Sequence, residues 1–385
     1  MRKKLVFFDL ISTGHHLEYL YHISENYSLF KHADITFAVN HDFVSIYEDK
    51  FGRSVNKGIK INTLTEEESQ IFSSKSGFKN YYFQYKKLRS ILKLGEYDSC
   101  FIMDIYPISF FLSFSRLPCS LAGIYFIPIF KNTKDFSSKL KRSVLKCVIA
   151  KNKWNNIFVL NNPTTASILN KEYGVSIFKS LSDPILDLKK LKTIKEDSEV
   201  FKINFKNKIS FLHFGSLADR KGTLEIIKSL NYLSPEILSN IHIILAGKAS
   251  RDFENQIKTL IEEFNISNYI SFYSGFLSYT EIDYLLTKCS YVLLPYKFSE
   301  MSSGIIGHSV NYNTPIISCD NGAIGDILVN YKVGIPIKPT AKDIAKVIRF
   351  LKTSDFIIDV ELAKKYLQLN SDEEFVNTII KSVCQ

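Results

Sequence analysis

Six of the 385 residues are cysteine, and Cys100, Cys119, Cys147, Cys289, Cys319 and Cys384 form no CxxC pair and no metal-binding spacing. They read as reduced thiols of a reducing compartment, which sets aside a disulfide scaffold or a zinc module. No apolar run has bilayer length, because the most apolar region, 101–130, is broken by Asp104, Pro107, Arg116 and Pro118. The apolar run behind Arg2-Lys3-Lys4 stops at Phe8, too short for a signal-peptide core. No Asp-x-Asp offers a ready metal site, and no complete GxGxxG marks a dinucleotide site. Low-complexity segments and internal repeats are also missing, beyond two similar α/β halves. The expectation is a soluble or peripheral cytoplasmic protein with no bound cofactor and no metal.

What is present points to two packed domains. Hydrophobic residues make up 45% of the chain, ample for two cores at this length. Charge is unevenly spread. Residues 1–190 hold 27 Lys and Arg against 17 Asp and Glu, a net of +10, while the remainder balances at 22 of each. An anionic partner for the first half is therefore in view.

Apolar runs alternate with helical spacing along the chain, which predicts parallel, doubly wound sheets. The first strand (4–10) leads through a turn containing Gly14, His15 and His16 into a helix with Leu17, Leu20 and Tyr21 at i, i+3 and i+4. Further strands are predicted at 34–39, 59–64, 100–105, 121–129 and 156–160. Asp104 stands near the end of one of them, where it suits either an acceptor hydroxyl or an ordinary turn. Residues 131–154 carry eight Lys and Arg against Asp135 alone. Phe136, Leu140, Val144 and Val148 recur every four residues, the pattern of a basic amphipathic helix that lies on anionic membrane. An ordinary solvated helix face has the same pattern. No nucleic-acid-binding module accompanies the charge.

The stretch 188–208, dense in charge, is the expected linker between a domain at 1–187 and one at 209–370. The strand 209–214 is followed by Gly215-Ser216-Leu217-Ala218-Asp219-Arg220-Lys221-Gly222 and a helix. The strand 241–246 ends at Gly247-Lys248, and the strand 269–273 leads to Gly275-Phe276-Leu277. Residues 291–322 read as strand, polar loop, helix and strand, with Glu300, Ser302, Ser303, Gly304 and Ile305 in the loop and helix start. Backbone N–H groups at such a start attract phosphate, and in open α/β sheets ligands bind at strand carboxyl ends. An N-cap serine beside a solvated acid reads the same way. A last helix (373–383) starts behind Ser371, with Glu374 three residues on.

The 291–322 segment resembles the donor-binding signature of the family 4 glycosyltransferases of GT-B fold: Glu, seven residues, a second Glu, a small-residue helix, then Gly-x-Pro-Val-Ile. Glu300 takes the first Glu position and 313–317 the last motif, while His308 stands where the second Glu belongs. The Lys221-Gly222 pair matches the family's diphosphate grip, with Ser216 in the place of its Arg and Arg220 displaced from that place. The resemblance is dense over 209–336 and sparse before 188. It implies two Rossmann-like domains facing each other across a cleft, acceptor side first, with the 371–385 helix returning to the first domain. It also implies a retaining hexosyltransferase acting on a UDP- or GDP-linked sugar, with a glycan or lipid-linked acceptor, as in lipopolysaccharide or capsule synthesis. Glu300, Lys221, Arg220 and His15 are then the candidate catalytic residues. Gly14, Gly215, Ser216, Gly222, Gly247, Lys248, Phe276, Leu277, Ser302, Ser303, Gly304, Ile305 and His308 are candidates for the donor, and His16 and Asp104 for the acceptor. An epimerase-like enzyme and a non-catalytic nucleotide-sugar binder remain as alternatives.

Overall fold

The structure, a computed structural model, describes residues 2–126, 136–191, 198–205, 208–297 and 303–384. The chain divides into two compact units, residues 1–184 with 371–385, and Ile185–Asn370. Each is a parallel α/β unit of Rossmann type.

The first unit holds β1 (Lys3–Asp9), β2 (Ala33–Val39), β3 (Ile59–Thr63), β4 (Ser99–Ile102), β5 (Ser120–Ile124), β6 (Trp154–Leu160) and β7 (Phe178–Leu181) in the order β3-β2-β1-β4-β5-β6-β7. All pairings are parallel. Leu5 to Asp9 of β1 are buried on both faces, which is why this strand is a continuous apolar run and not an alternating one. On one face Phe7, Phe37, Phe101 and Phe158 pack ring to ring at 5.6–6.2 Å between centres. The helix Asp372–Val383 adds to this unit: Phe375 meets Tyr19 at 5.1 Å, and the Asn155 amide donates to the Ser382 carbonyl at 2.7 Å.

The second unit holds β8 (Ile209–Phe214), β9 (Ile241–Gly247), β10 (Ile270–Ser274), β11 (Tyr291–Leu294), β12 (Ile316–Cys319) and β13 (Gly334–Ile337), ordered β10-β9-β8-β11-β12-β13. Its core runs from Phe211, Ile243 and Leu245 to Leu293, Ile317 and Ile344. The described residues of the stretch 188–208, expected as a linker, count with this unit. Leu188, Leu191, Val200 and Ile203 are buried there, since apolar side chains are spaced among its charges.

Both sheets reverse strand order beside their first strand, at β1/β4 and at β8/β11. Crevices outside the carboxyl ends of strands open at such points. Among the described residues no helix is long and apolar enough to cross a membrane.

Candidate functional site

At the β8/β11 reversal, glycine lets backbone approach backbone. Gly247 has φ +150, and a Cβ there would stand 1.7 Å from the Gly215 carbonyl oxygen. Gly222, at φ +75, comes so near Pro295 that a Cβ would lie 2.1 Å from its carbonyl oxygen. The 215–222 loop is thereby pressed against the end of β11, and the Lys297 N–H donates to the Arg220 carbonyl at 2.9 Å. Side chains close the same gap. The Lys221 ammonium donates to the Tyr296 hydroxyl at 3.0 Å and lies 4.7 Å from that ring's centre. The Tyr296 hydroxyl stands 3.3 Å from the Ser303 hydroxyl. A cation from one loop is thus linked to the start of the helix Gly304–Asn311 that follows the other.

Ser303 is extended and its side chain does not cap that helix. The Ile306 N–H already bonds to the Ser303 carbonyl. The preceding N–H groups of Ser303, Gly304 and Ile305 are the ones a helix start leaves for an anion. The Ile305 side chain reaches toward Gly215, coming within 3.2 Å of where its Cβ would be. His308 sits one turn further on and is half-buried. Arg220 and Ser216 are exposed. Lys248 lies 4.7 Å over the ring of Phe276, which is 80% exposed, and Leu277 beside it is half-buried. Glu300 and Ser302 lie outside the described residues.

His213, which no motif singles out, underlies this loop. It is fully buried, with Nδ1 2.8 Å from the Leu293 carbonyl and Nε2 2.9 Å from the Thr223 hydroxyl. Burial pushes its pKa down to about 4, against the pull of the Leu293 carbonyl and with some help from the Lys221 charge. The neutral ring donates from Nδ1–H to Leu293 and accepts from Thr223 at Nε2. It ties the end of β11 to the residue that follows Gly222. A histidine inside an otherwise apolar strand, two residues before a glycine loop, was the available signal.

The first unit gathers titratable groups at its own reversal. Asp9 ends β1, accepts from the Ile11 N–H at 3.0 Å and receives His16 Nδ1 at 2.8 Å. The His16 ring stacks on Phe126 at 5.2 Å. Tyr19 lies parallel to Phe126 at 6.2 Å and donates to Asp183 at 2.7 Å. Burial opposes charge on His16, but the Asp9 carboxylate overrides it and raises the pKa, with Asp104 contributing. His15 behaves alike: burial works against it, while Glu18 at 3.3 Å and the Asp183 charge raise its pKa to about 9. Its imidazole is still 53% exposed, so solvent screens part of that effect. Asp104 accepts from the Tyr106 N–H at 3.0 Å, a turn geometry, and burial raises its carboxyl to about 6 despite His16. Gly14 opens the helix Gly14–Glu25 at φ +61, a conformation glycine takes without strain. Asp9, Phe126 and Asp183 were missed by sequence reasoning, because each belongs to a different strand end. Among the described residues no group of three or more His, Cys, Asp or Glu stands ready to hold a metal.

Residues 195–368 match the family model "Glycosyl transferases group 1". The matched segment contains the 215–222 loop, Phe276, Tyr296 and the 304–311 helix, whereas the Asp9–His16 cluster lies outside it. Solved GT-B glycosyltransferases share the fold of the whole chain. HepE of Anabaena, solved with UDP and glucose, aligns at TM-score 0.71 and 14% identity over 99% of both chains. Sucrose-phosphate synthase of Thermosynechococcus elongatus aligns at 0.70 and 10% over 99% of this chain and 98% of that one. WaaG, a glycosyltransferase involved in lipopolysaccharide biosynthesis, aligns at 0.67 and 13% over 97% and 99%. No curated protein sequence matches the chain.

Proposed function

We propose that this protein is a retaining glycosyltransferase that moves a hexose from a nucleotide diphosphate sugar to a glycan or lipid-linked acceptor in cell-surface polysaccharide synthesis. The observation that carries the reading is the Lys221–Tyr296–Ser303 link, which joins an ammonium to the residue that precedes a helix start. An ammonium and a helix start tied together through one hydroxyl suit a diphosphate. They suit the departing diphosphate better still, since its charge grows as the sugar leaves. Arg220 adds a guanidinium at the rim, and Gly215, Ser216, Gly222 and Gly247 supply backbone that a phosphate can approach. Phe276 and Leu277, with Lys248 above the ring, offer a face for the base. Glu300 takes the sugar hydroxyls and His308 the ribose, where a neutral imidazole accepts one hydrogen bond in place of a carboxylate's several.

The first unit contributes the acceptor groups in this reading. His15 and His16 are held toward their cationic forms, so they act as hydrogen-bond donors and not as resting general bases. Asp104, with a carboxyl near 6, orients an acceptor hydroxyl. UDP is the first donor nucleotide to test, as HepE binds it, and GDP the second.

The test is thermal stabilisation by nucleoside diphosphates followed by turnover of UDP- and GDP-sugars with and without glycan acceptors. Stabilisation by one diphosphate, and acceptor-dependent release of it with retained anomeric configuration, is the expected result. Consumption of the donor without acceptor favours the epimerase-like alternative, and binding without turnover favours a nucleotide-sugar binder. No stabilisation by any diphosphate refutes the reading.

A further inference from the structure

Of the apolar stripe on the basic helix Phe136–Lys151, the part from Val144 onward faces the core, while Leu140 is 52% exposed. Leu145 and Val148 are fully buried in the first unit's core, and Val144 and Ile149 pack against it. What this unit exposes beside that helix is aromatic. Phe78 and Tyr82, on the helix Gly77–Leu94, are 58% and 49% exposed, and Phe110 and Phe114 are 39% and 72% exposed. The rings form one cluster. Phe110 stands 5.3 Å from Phe78 and 5.1 Å from Phe114, and Phe111 joins Phe78 to Tyr82 at 4.8 and 5.2 Å. A contiguous exposed apolar patch of this kind marks an interaction surface.

The charge carried by the segments that frame the rings has one sign. Phe78 and Tyr82 share a helical stripe with Lys86, Arg89 and Lys93, at spacings of four, four, three and four, and all five are exposed. The Lys86 ammonium lies 6.0 Å from the Tyr82 ring centre. The short helix Ser109–Leu112 joins this helix to the basic one: Phe111 stacks on Tyr85 at 5.5 Å, and the Asn152 amide donates to the Leu112 carbonyl at 3.1 Å. Segments 75–95, 105–118 and 136–154 hold thirteen Lys and Arg and no Asp or Glu. Among the described residues, Lys87 is compensated by Glu68 at 2.6 Å and Arg142 by Glu172 at 3.4 Å.

The rings are engaged edge to face with one another, at 64° for Phe78–Phe110 and 67° for Phe110–Phe114. They are therefore not a row of open platforms for stacking bases. An anionic bilayer fits both features, since rings settle at the headgroup boundary while nearby Lys and Arg meet anionic headgroups. We infer that the Phe78–Tyr82–Phe110–Phe114 cluster inserts into anionic membrane, with the cations of the two flanking helices holding the headgroups. This goes beyond the glycosyl-transfer reading and does not depend on it.

The test uses the full chain with vesicles of phosphatidylcholine alone and of phosphatidylcholine and phosphatidylglycerol at three to one. The wild type is expected to partition onto the anionic vesicles and to lose binding as salt rises. Phe78→Ser with Phe114→Ser should lower that partition about tenfold while leaving its salt dependence. Lys86→Gln with Arg89→Gln and Lys93→Gln should lower it and flatten the salt dependence. Phe114→Trp, against the buried Trp154 as constant background, should shift its emission to the blue on anionic vesicles and be quenched by brominated acyl chains. Unchanged melting temperatures show that the variants are folded. Failure of the wild type to bind either vesicle overturns the inference, as does undiminished binding of the double serine variant with no shift at position 114.

Discussion

Replacing His213 with glutamine takes a titrating ring out of the support of the 215–222 loop while keeping a group that can donate and accept. In the folded protein the imidazole titrates at about 4, against 6.5 when solvated. Between these values the unfolded chain binds a proton that the native ring refuses, so stability rises with pH across the window and falls on acidification. A shift of that size corresponds to about 3 kcal/mol lost between about pH 6.5 and about pH 4, at roughly 1.4 kcal/mol per pH unit. Glutamine at 213 does not titrate. Near neutral pH the variant should be less stable by about 1–3 kcal/mol, because one of the two buried partners, Leu293 or Thr223, loses its hydrogen bond. On acidification it should lose about 3 kcal/mol less than the wild type. Global unfolding of a two-unit chain does not report on one unit alone, so the readout is native-state hydrogen exchange in peptides covering β8 and β11. Carboxylates and His242 titrate in both proteins and cancel in the difference. If protection in the variant falls with acid as steeply as in the wild type, His213 does not supply this acid sensitivity.

Lys221→Ala should weaken donor binding by about 1.5–3 kcal/mol, measured by titration calorimetry with the diphosphate. Tyr296→Phe, which keeps the ring under the ammonium but removes the hydroxyl link, should cost less, and the reverse order refutes the described linkage. His308→Glu should preserve or tighten nucleotide binding and His308→Ala should weaken it. Equal affinity in all three proteins places the ribose elsewhere.

Features with local causes were legible in the sequence. Thr65 and Glu68 form a capping box, and so do Ser278 and Glu281, because three residues contain the whole interaction. The strand–loop–helix–strand pattern of 291–319 was readable from its apolar runs and glycine. β7 was not predicted, being four residues long at a sheet edge, and neither was β13, also an edge strand of four residues, which contains Pro336. The Asp9–His16–Asp104 neighbourhood was not readable, since it exists only because β4 pairs with β1 across some ninety residues. The 136–151 helix shows the same limit. Its spacing predicts an amphipathic helix, but only tertiary packing decides whether the apolar stripe faces the core or a membrane.

The helix Asp372–Val383 has a consequence for how the chain is made. The second unit is one continuous segment, whereas the first is assembled from residues 1–184 and the stretch after 370. Asn26 bonds Asp372, and Lys3 donates to the Cys384 carbonyl, so contacts of this unit span more than 340 residues. During synthesis the amino-terminal sheet emerges first, yet Tyr19 waits for Phe375 until nearly the whole chain is out. The first unit to be translated is therefore the last to be completed. Loop closure over such a separation is slow to form, and the unit spends that interval with the Tyr19 side of its sheet uncovered. Residues 185–370 form one uninterrupted segment, whereas the first unit needs residues on both sides of it.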